Sequence, residues 1–462
     1  MIRLLLVILA VFMPAHAGAQ PLTLDEVLKS SANHAPAILE AMTREAQAKG
    51  RRVSAEGAFD LVFEGDAQSR LLGYYDGTFV EGRATRPLST NGGSLYAGYR
   101  VSSGSFPIYE DKAFTNRLGE VKVGAVFALM RDRFVDERRT RLGLADADLK
   151  LARLDREMVA IGVQRRAIEA YQQWVAAGLR VAVFRDLLRL ASERQVSIER
   201  QVALGARPSI LATENRQNIV RRQTLVVRAE QELESAANAL SFYLRDPAGD
   251  PTPPPSERLP AAFPTLRLPP VLPDLARRIE RPDLDAILVR LDQVEARRLL
   301  AQNDLQPRLD LRAEASQDLG SARFGRNTSD PEAIFGLRFS VPLERRQARG
   351  RIAEARAEAD GLHLRRKLIE DQILVEVNGL SIQVDAAERL VKLAGEETEL
   401  ADRMAAAERR RFELGASDFI VVNLREEAAA DARLRQLDAE YRRSAARAEL
   451  VAATVDRTQL RL

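Results

Sequence analysis

Two very long helical stretches constrain this chain more than any other feature. Residues 133–204 and 345–414 each run for about 70 residues without a proline, and their apolar residues recur at three- and four-residue steps. At 1.5 Å per residue, a helix of that length reaches roughly 100 Å. The composition agrees, because charged residues make up 29% of the chain and aromatic residues only 5%. Such a chain is typical of long helices rather than of a sandwich or a doubly wound sheet.

Both long helices end at the same tripeptide, Leu-Gly-Ala, and a second helix is predicted after each, over 208–244 and 417–457. Glycine can adopt a positive φ and end a helix, so each break is predicted to be the tip of a helical hairpin. The six tip residues are Leu204, Gly205, Ala206, Leu414, Gly415 and Ala416.

The chain also reads as two similar halves. A helix predicted from Thr23 to about Gly50 carries Pro36, and a helix predicted from Asp274 to about Leu305 carries Pro282, 246 residues later. The predicted organisation is a first repeat over 20–245, a linker over 246–273 and a second repeat over 274–462. The linker holds ten of the twenty prolines.

Alternating segments precede each long helix. In the second repeat they predict a β-hairpin over 308–342, with apolar residues on one face and polar residues on the other. The apolar face carries Leu309, Leu311, Phe335, Leu337 and Phe339. The polar face carries Asp310, Arg312, Glu314 and Arg338. Residues 61–68 and 121–129 alternate in the same way in the first repeat.

The first repeat is longer within its hairpin. Phe127 matches Phe339 at an offset of 212 rather than 246, so roughly 34 additional residues lie there, and the predicted insertion is 74–104. This insertion contains further alternation and the turn Asn91-Gly92-Gly93. The pattern leaves open whether it adds strands or enlarges a loop.

The N-terminus predicts export. Arg3 precedes a short apolar run and small residues suited to cleavage after Ala19, so residues 1–19 are predicted to be a secretory signal peptide. No other apolar segment is long enough for a transmembrane helix, and the chain has no cysteine.

Charged strand faces indicate a water-filled barrel lumen, because a dry sandwich core would exclude those charges. Four strands cannot close a membrane barrel, and open sheet edges are not tolerated in lipid. The barrel must therefore be shared between subunits. The predicted fold class is mainly α with a transmembrane β-barrel portion, in which duplicated helical hairpins form an α-barrel tunnel.

With these features the chain resembles the TolC family of outer-membrane efflux and secretion channels. The resemblance runs from about Leu22 to Val455 and is strongest at the two tips, which are followed by Ile210-Leu-Ala-Thr-Glu-Asn-Arg216 and Ile420-Val-Val-Asn-Leu-Arg425. It implies a homotrimer with a twelve-strand barrel and a twelve-helix tunnel. It also implies a passive exit duct in the outer membrane that extends into the periplasm.

The resemblance further implies that the tips meet a periplasmic adaptor and, through it, an inner-membrane pump of an efflux or type I secretion system. Family members often carry Asp about six residues after the tip glycine, whereas this chain has Leu211 and Val421. The charged candidates at the periplasmic aperture are Arg207, Glu214, Asp418 and Arg425. Neither the cargo nor the pump is indicated.

No nucleophile–base constellation, phosphate loop or metal-ligand cluster stands out, so no enzyme, cofactor or metal is predicted. Tyr171 and Trp174 are predicted to pack within a helix bundle, and interleaved charges such as those of 408–413 are predicted to be solvated. The net charge of +3 and the lack of interleaved aromatics argue against a nucleic-acid partner. The alternative to a duct is a soluble periplasmic coiled-coil adaptor or spacer.

Overall fold

A computed structural model describes residues 20–107, 113–268, 281–321 and 330–462 of the chain. The predicted signal peptide, the end of the linker at 269–273, the predicted helix start at Asp274 and most of the polar loop at 320–330 lie outside the described residues. The described chain is mainly helical with one β-sheet, as the sequence predicted for its α and β content.

The helices follow the long proline-free stretches closely. In chain order they are Leu24–His34 (α1), Pro36–Glu56 (α2), Glu137–Ala203 (α3), Ile210–Ser241 (α4), Pro282–Asn303 (α5), Arg346–Glu413 (α6), Phe419–Ala453 (α7) and Arg457–Leu460 (α8). None of these described helices has both the length and the apolar character needed to cross a membrane.

The first predicted helix is in fact two helices, α1 and α2. Thr23 caps α1 by accepting a hydrogen bond from the Glu26 N–H, as the capping-box pattern predicts. Ala35 then takes an extended conformation with φ −67° and ψ 122°. The cause is Pro36, whose ring disfavours the helical conformation at the residue before it. The expectation of one continuous helix to Gly50 was wrong at this point.

The sheet has six antiparallel strands in sequence order. They are Val62–Ser69 (β1), Thr78–Pro87 (β2), Ser94–Ser103 (β3), Glu120–Ala128 (β4), Arg308–Asp318 (β5) and Glu332–Ser340 (β6). The additional residues at 74–104 thus form two strands, β2 and β3. The twelve-strand barrel implied by the resemblance needs four strands from each of three chains, and the described residues of this chain form six.

The described chain divides into two compact units. One comprises Met1–Leu39, Val159–Ile279 and Gln372–Leu462, and the other comprises Glu40–Met158 and Glu280–Asp371. The sheet belongs to the second unit. The helical-hairpin tips belong to the first.

The core of the first unit is built around Trp174, which is fully buried with Tyr171 beside it, as predicted. The Tyr171 hydroxyl donates to the Leu22 carbonyl at 2.7 Å, and burial raises the pKa of Tyr171 to about 12. Part of the proline-rich linker packs on this core through Leu259, Phe263 and Leu266. The described part of the linker is therefore extended but docked.

Candidate functional site

The six-stranded sheet has one polar face and one apolar face, because directly paired residues on neighbouring strands point to the same side. One row of paired residues, Asp66, Glu81, Arg100, Glu120 and Asp318, carries charge across five strands. Arg100 pairs with Glu120 at 2.6 Å within this row. The predicted lumen residues Asp310, Arg312, Glu314 and Arg338 lie on this same face.

Tyr96 organises the middle of the polar face. Its ring crosses β4 at Gly124, where an added Cβ would collide with the ring. The Tyr96 hydroxyl donates to the Glu314 carboxylate on β5, and Arg312 Nε donates to the same hydroxyl at 3.1 Å. Glu314 is thereby buried, at 7% exposure, although it lies on the polar face. The charges of Arg312 and Glu314 are therefore held in a hydrogen-bonded network around Tyr96.

A groove of about 450 Å³ opens on the same face beside Tyr96. The guanidinium carbons of Arg83 and Arg312 lie 5.5 and 5.9 Å from the Tyr96 ring centroid, within range of cation–π attraction. Asp310 and Arg338 complete its charged lining. Asp310 is buried and accepts a hydrogen bond from Arg308 Nε at 2.8 Å.

The opposite face carries the residues predicted to meet lipid. Phe335, Leu337 and Phe339 are 78%, 70% and 64% exposed, whereas Leu309 and Leu311 are half-buried. Large apolar side chains exposed together on one sheet face are uncommon in soluble monomers. Within the described residues these three side chains on β6 are left largely uncovered.

The two helical-hairpin tips end their helices with the same hydrogen-bonded cap. Gly205 and Gly415 have φ of 71° and 78°. The Ala206 N–H donates to the Gln201 carbonyl, and the Ala416 N–H to the Arg411 carbonyl, both at 2.8 Å. The Gly205 and Gly415 N–H groups donate to the Val202 and Phe412 carbonyls. Together these bonds form a Schellman cap, whose positive φ explains why glycine is needed at both positions.

All six predicted tip residues are exposed, and Leu204 and Leu414 are each 83% exposed. Behind them the two hairpins meet in a small apolar cluster of Ile198, Phe412, Phe419 and Val422. Arg207 covers this cluster, with its guanidinium carbon 4.2 Å from the Phe412 ring centroid. Each tip thus carries one exposed leucine, and the apolar cluster packs behind both tips.

The four aperture candidates do not form one site. Arg207 and Arg425 are half-buried, and Glu214 and Asp418 are exposed. Within the described residues no ion pair joins any of these four to another. Leu211, which stands where family members often carry Asp, packs against the apolar cluster.

Sequence reasoning missed a buried ionic cluster between the hairpins. Arg194 and Arg222 both donate to Oε2 of Glu426, and the three side chains are 7%, 2% and 2% exposed. The expectation that interleaved charges are solvated was wrong for these residues. It was also wrong for Glu408, which is buried and accepts from the Ser417 hydroxyl.

A signal for this cluster was present in the spacing. Arg222 lies three residues after Ile219 and four before Val226, so it occupies a position in the buried stripe of α4. Glu426 likewise follows Val422 by four residues in the buried stripe of α7. A charged residue at a core position of a helix is buried with a partner.

Among the described residues, no group of three His, Cys, Asp or Glu side chains is arranged to hold a metal ion. The chemistry that the described faces and tips offer is solvation, ion pairing and apolar contact.

Residues 273–454 match the model of the outer membrane efflux protein family. No curated protein sequence matches the chain. The match includes α5, the β5–β6 hairpin, α6, the second tip and α7.

Solved outer-membrane channels have a similar fold over nearly the whole chain. The outer-membrane channel OprN is 19% identical, with 93% of this chain and 89% of that chain covered and a TM-score of 0.62. The open-state MtrE outer membrane channel of Neisseria gonorrhoeae is 14% identical, covering 93% and 88%, with a TM-score of 0.64. The CmeC outer membrane channel of Campylobacter jejuni is 13% identical, covering 93% and 85%, with a TM-score of 0.61. These comparisons confirm the resemblance drawn from the sequence.

Proposed function

Because residues 273–454 carry an outer membrane efflux protein domain and the chain has the fold of outer-membrane channels, we propose that three copies of it form a passive exit duct. The duct spans the outer membrane, extends into the periplasm and serves a multicomponent efflux or type I secretion system. It works without a cofactor, since its partners supply the energy. The observation that carries this proposal is the two-faced sheet.

The sheet supports a barrel wall in three ways. Its apolar face is exposed in the single chain, its other face carries charges, and its two edge strands, β1 and β6, are exposed along nearly their whole length. In lipid, unpaired backbone groups at a sheet edge cost several kcal/mol each. Pairing β6 of one copy with β1 of the next removes both edges and places the charges in a water-filled lumen.

The helices support self-association independently. On α6 an exposed apolar stripe runs through Val375, Ile382, Leu393 and Leu400, which are 56% to 72% exposed. The steps of 7, 11 and 7 residues are those that keep a stripe on one side of a coiled coil. A second copy of the chain is the natural partner for such a stripe, in line with a homotrimeric tunnel.

The tips support docking of a periplasmic adaptor, and through it of an inner-membrane pump. Leu204 and Leu414 project from capped, packed hairpins, and an added Cβ at Gly205 or Gly415 would meet no atom within 4 Å. A helical partner can approach such a small-residue surface closely. The identity of the cargo then follows from the pump.

Planar-bilayer conductance of the detergent-extracted mature protein tests the duct, with the oligomer mass determined on the same sample. A trimer that gives discrete conductance steps is the expected result. A monomer that extracts without detergent and never conducts would contradict the proposal and favour a soluble periplasmic coiled-coil adaptor or spacer.

Docking is tested by the double variant Leu204→Asp/Leu414→Asp. Efflux in cells should be lost while the trimer and its conductance are retained, because both side chains are exposed within the chain. The matched control is Leu204→Met/Leu414→Met, which keeps an apolar surface and should keep efflux. Full efflux in the aspartate variant, at normal protein level, would remove the docking role.

A further inference from the structure

The hairpin formed by β2 and β3 changes the expected size of the barrel. We propose that the trimer closes an eighteen-stranded barrel rather than the twelve-stranded one implied by the resemblance, and that its lumen admits correspondingly bulkier solutes. This inference rests on the proposed trimeric duct. It is carried by the way in which the hairpin is built into the sheet.

The hairpin lies in the middle of the sheet and not at its edge. β2 pairs with β1 over the whole of β1, from Val62 opposite Thr85 to Ser69 opposite Thr78. β3 pairs with β4 from Ser94 opposite Val126 to Arg100 opposite Glu120. In the structure β1 and β4 therefore do not pair with each other, and both strands of the hairpin lie between them.

Both faces of the sheet continue through the hairpin without interruption. One row of directly paired residues crosses all six strands on the apolar face, and it consists of Phe63, Ala84, Ala97, Val123, Ala315 and Ala333. Most hairpin residues therefore follow the pattern of a barrel wall, apolar outward and polar inward, and the exceptions, such as Phe79 and Arg86 on β2, lie near the strand ends.

Side chains also bind the hairpin to the rest of the polar face. The Tyr96 hydroxyl on β3 reaches past β4 to donate to Glu314 on β5. Arg100 on β3 pairs with Glu120 on β4 at 2.6 Å and lies 3.8 Å from Glu81 on β2. These contacts link four consecutive strands. The hairpin is thus an integral part of the wall.

The strand directions permit closure with all six strands. Since six is even and every neighbour is antiparallel, β1 and β6 run in opposite directions. Pairing β6 of one copy with β1 of the next therefore keeps the whole ring antiparallel, as single-chain bacterial barrels are. The two edge strands also match in length, at 8 and 9 residues.

The diameter of the barrel follows from its number of strands. Barrel diameter grows roughly linearly with strand number at similar tilt, so eighteen strands give a diameter about 1.5 times that of twelve. Barrels of 16–18 strands leave an open aqueous channel. A wall of this size suits solutes of larger cross-section than a twelve-strand barrel passes.

Engineered cysteine pairs test which strand of one chain closes on β6 of its neighbour, since the chain has no cysteine of its own. Gly336→Cys on β6 is combined with Glu64→Cys or Asp66→Cys on β1, and in a parallel set with Gly98→Cys or Ser102→Cys on β3. In an eighteen-strand barrel, only the β1 set links one chain to its neighbour. Neighbour links from the β3 set, or from neither set, would overturn the proposal, because β6 would then not close on β1.

Oligomer mass and conductance separate this inference from the proposed function. Absence of a trimer or of any channel is a failure of the duct itself. A conducting dimer with β1–β6 links would have twelve strands and would overturn the count alone.

Exclusion of polyethylene glycols of graded mass then gives the width. In a second variant, residues 78–103 are replaced by a short Gly-Ser turn. β1 and β4, which run antiparallel, can then pair directly. Because the barrel of this variant has fewer strands, its conductance should fall by up to roughly twofold. The largest polyethylene glycol that enters the channel should also be smaller. An unchanged exclusion limit in a correctly assembled variant would contradict the wide lumen.

Discussion

Arg222 and Glu426 form an ion pair 3.1 Å long in which both side chains are only 2% exposed. Arg194 shares the same carboxylate oxygen, so two buried guanidinium groups face one buried carboxylate. Nε and Nη2 of Arg222 have no hydrogen-bond partner within the described residues, and burial lowers the pKa of the Arg222 guanidinium. The cluster holds the two hairpins together at a high desolvation cost.

Because two guanidinium groups share one carboxylate, replacing Glu426 should cost more stability than replacing Arg222. Glu426→Gln should destabilise the protein by about 3–5 kcal/mol, because two buried guanidinium groups lose the carboxylate that they share. Arg222→Met should cost much less, because the Arg194–Glu426 pair remains and the most poorly satisfied group is removed. Melting of the purified oligomer, followed by circular dichroism, measures both. A larger loss for Arg222→Met than for Glu426→Gln would refute this account.

Asp186 predicts a pH dependence. Partial burial raises the pKa of its carboxyl, but hydrogen bonds from Arg189 and Arg433 outweigh burial and hold the pKa below the ordinary 3.8. A carboxyl with a lowered pKa in the folded state stabilises it at neutral pH, and that stabilisation is lost as the pH falls below about 4. Because Asp186 and Arg433 are about a third exposed and Arg189 more than half, the effect is below about 1 kcal/mol.

The measurement compares Asp186→Asn with the wild type at pH 7 and pH 3. The variant should melt at a lower temperature at pH 7, and the difference should shrink at pH 3. Asp431→Asn, at an exposed position of α7, is the matched control and should show no such difference. A deficit for Asp186→Asn that is equal at both pH values would count against the ion pairs as its cause.

Two neighbouring residues of β6 test the orientation of the sheet. Leu337→Arg places a charge on the apolar face and should impair membrane assembly by about 2–4 kcal/mol if the position lies near the bilayer midplane. Gly336→Arg places the same charge on the polar face, where an added Cβ meets no atom within 4 Å, and should assemble normally. Yield of heat-resistant oligomer in membranes is the readout. The reverse order of the two variants would mean that the faces are exchanged.

Gly124 and Tyr96 should be energetically coupled. Gly124→Ala alone forces the new methyl group against the Tyr96 ring and should destabilise the sheet. In the double variant Gly124→Ala/Tyr96→Ala the clash disappears, so the two effects should be non-additive by about 0.5–3 kcal/mol. A double-mutant cycle on the melting of the oligomer measures the coupling. Strict additivity would show that the ring does not cross β4 at this glycine.

The long helices could be predicted because their evidence is local. Absence of proline, regular apolar spacing and a glycine at each tip determine where α3 and α6 run and end, and the structure places their ends within about four residues of the prediction. The break at Ala35 was also predictable from the sequence, since Pro36 restricts the residue before it. Both kinds of signal act within a few residues along the chain.

The buried ionic cluster could not be predicted as a contact, because its members lie 28 to 232 residues apart in sequence. Spacing shows that Arg222 and Glu426 occupy core positions, but only the fold shows that they meet. The role of the residues at 74–104 was undecided for a related reason. Alternation predicts a strand at Leu95 to Val101, but its place in the middle of the sheet depends on partners in β4 that lie 20 to 30 residues away.

The even number of strands limits how such a wall can vary. α2 precedes the first strand of the sheet and α6 follows its last strand, and in the proposed duct both helices lie on the periplasmic side of the membrane. Adding or removing a single strand would deliver the following helix to the cell exterior, whereas a hairpin returns the chain to where it started. The diameter of a barrel with this fold can therefore change only in steps of two strands per chain, and the β2–β3 hairpin is one such step.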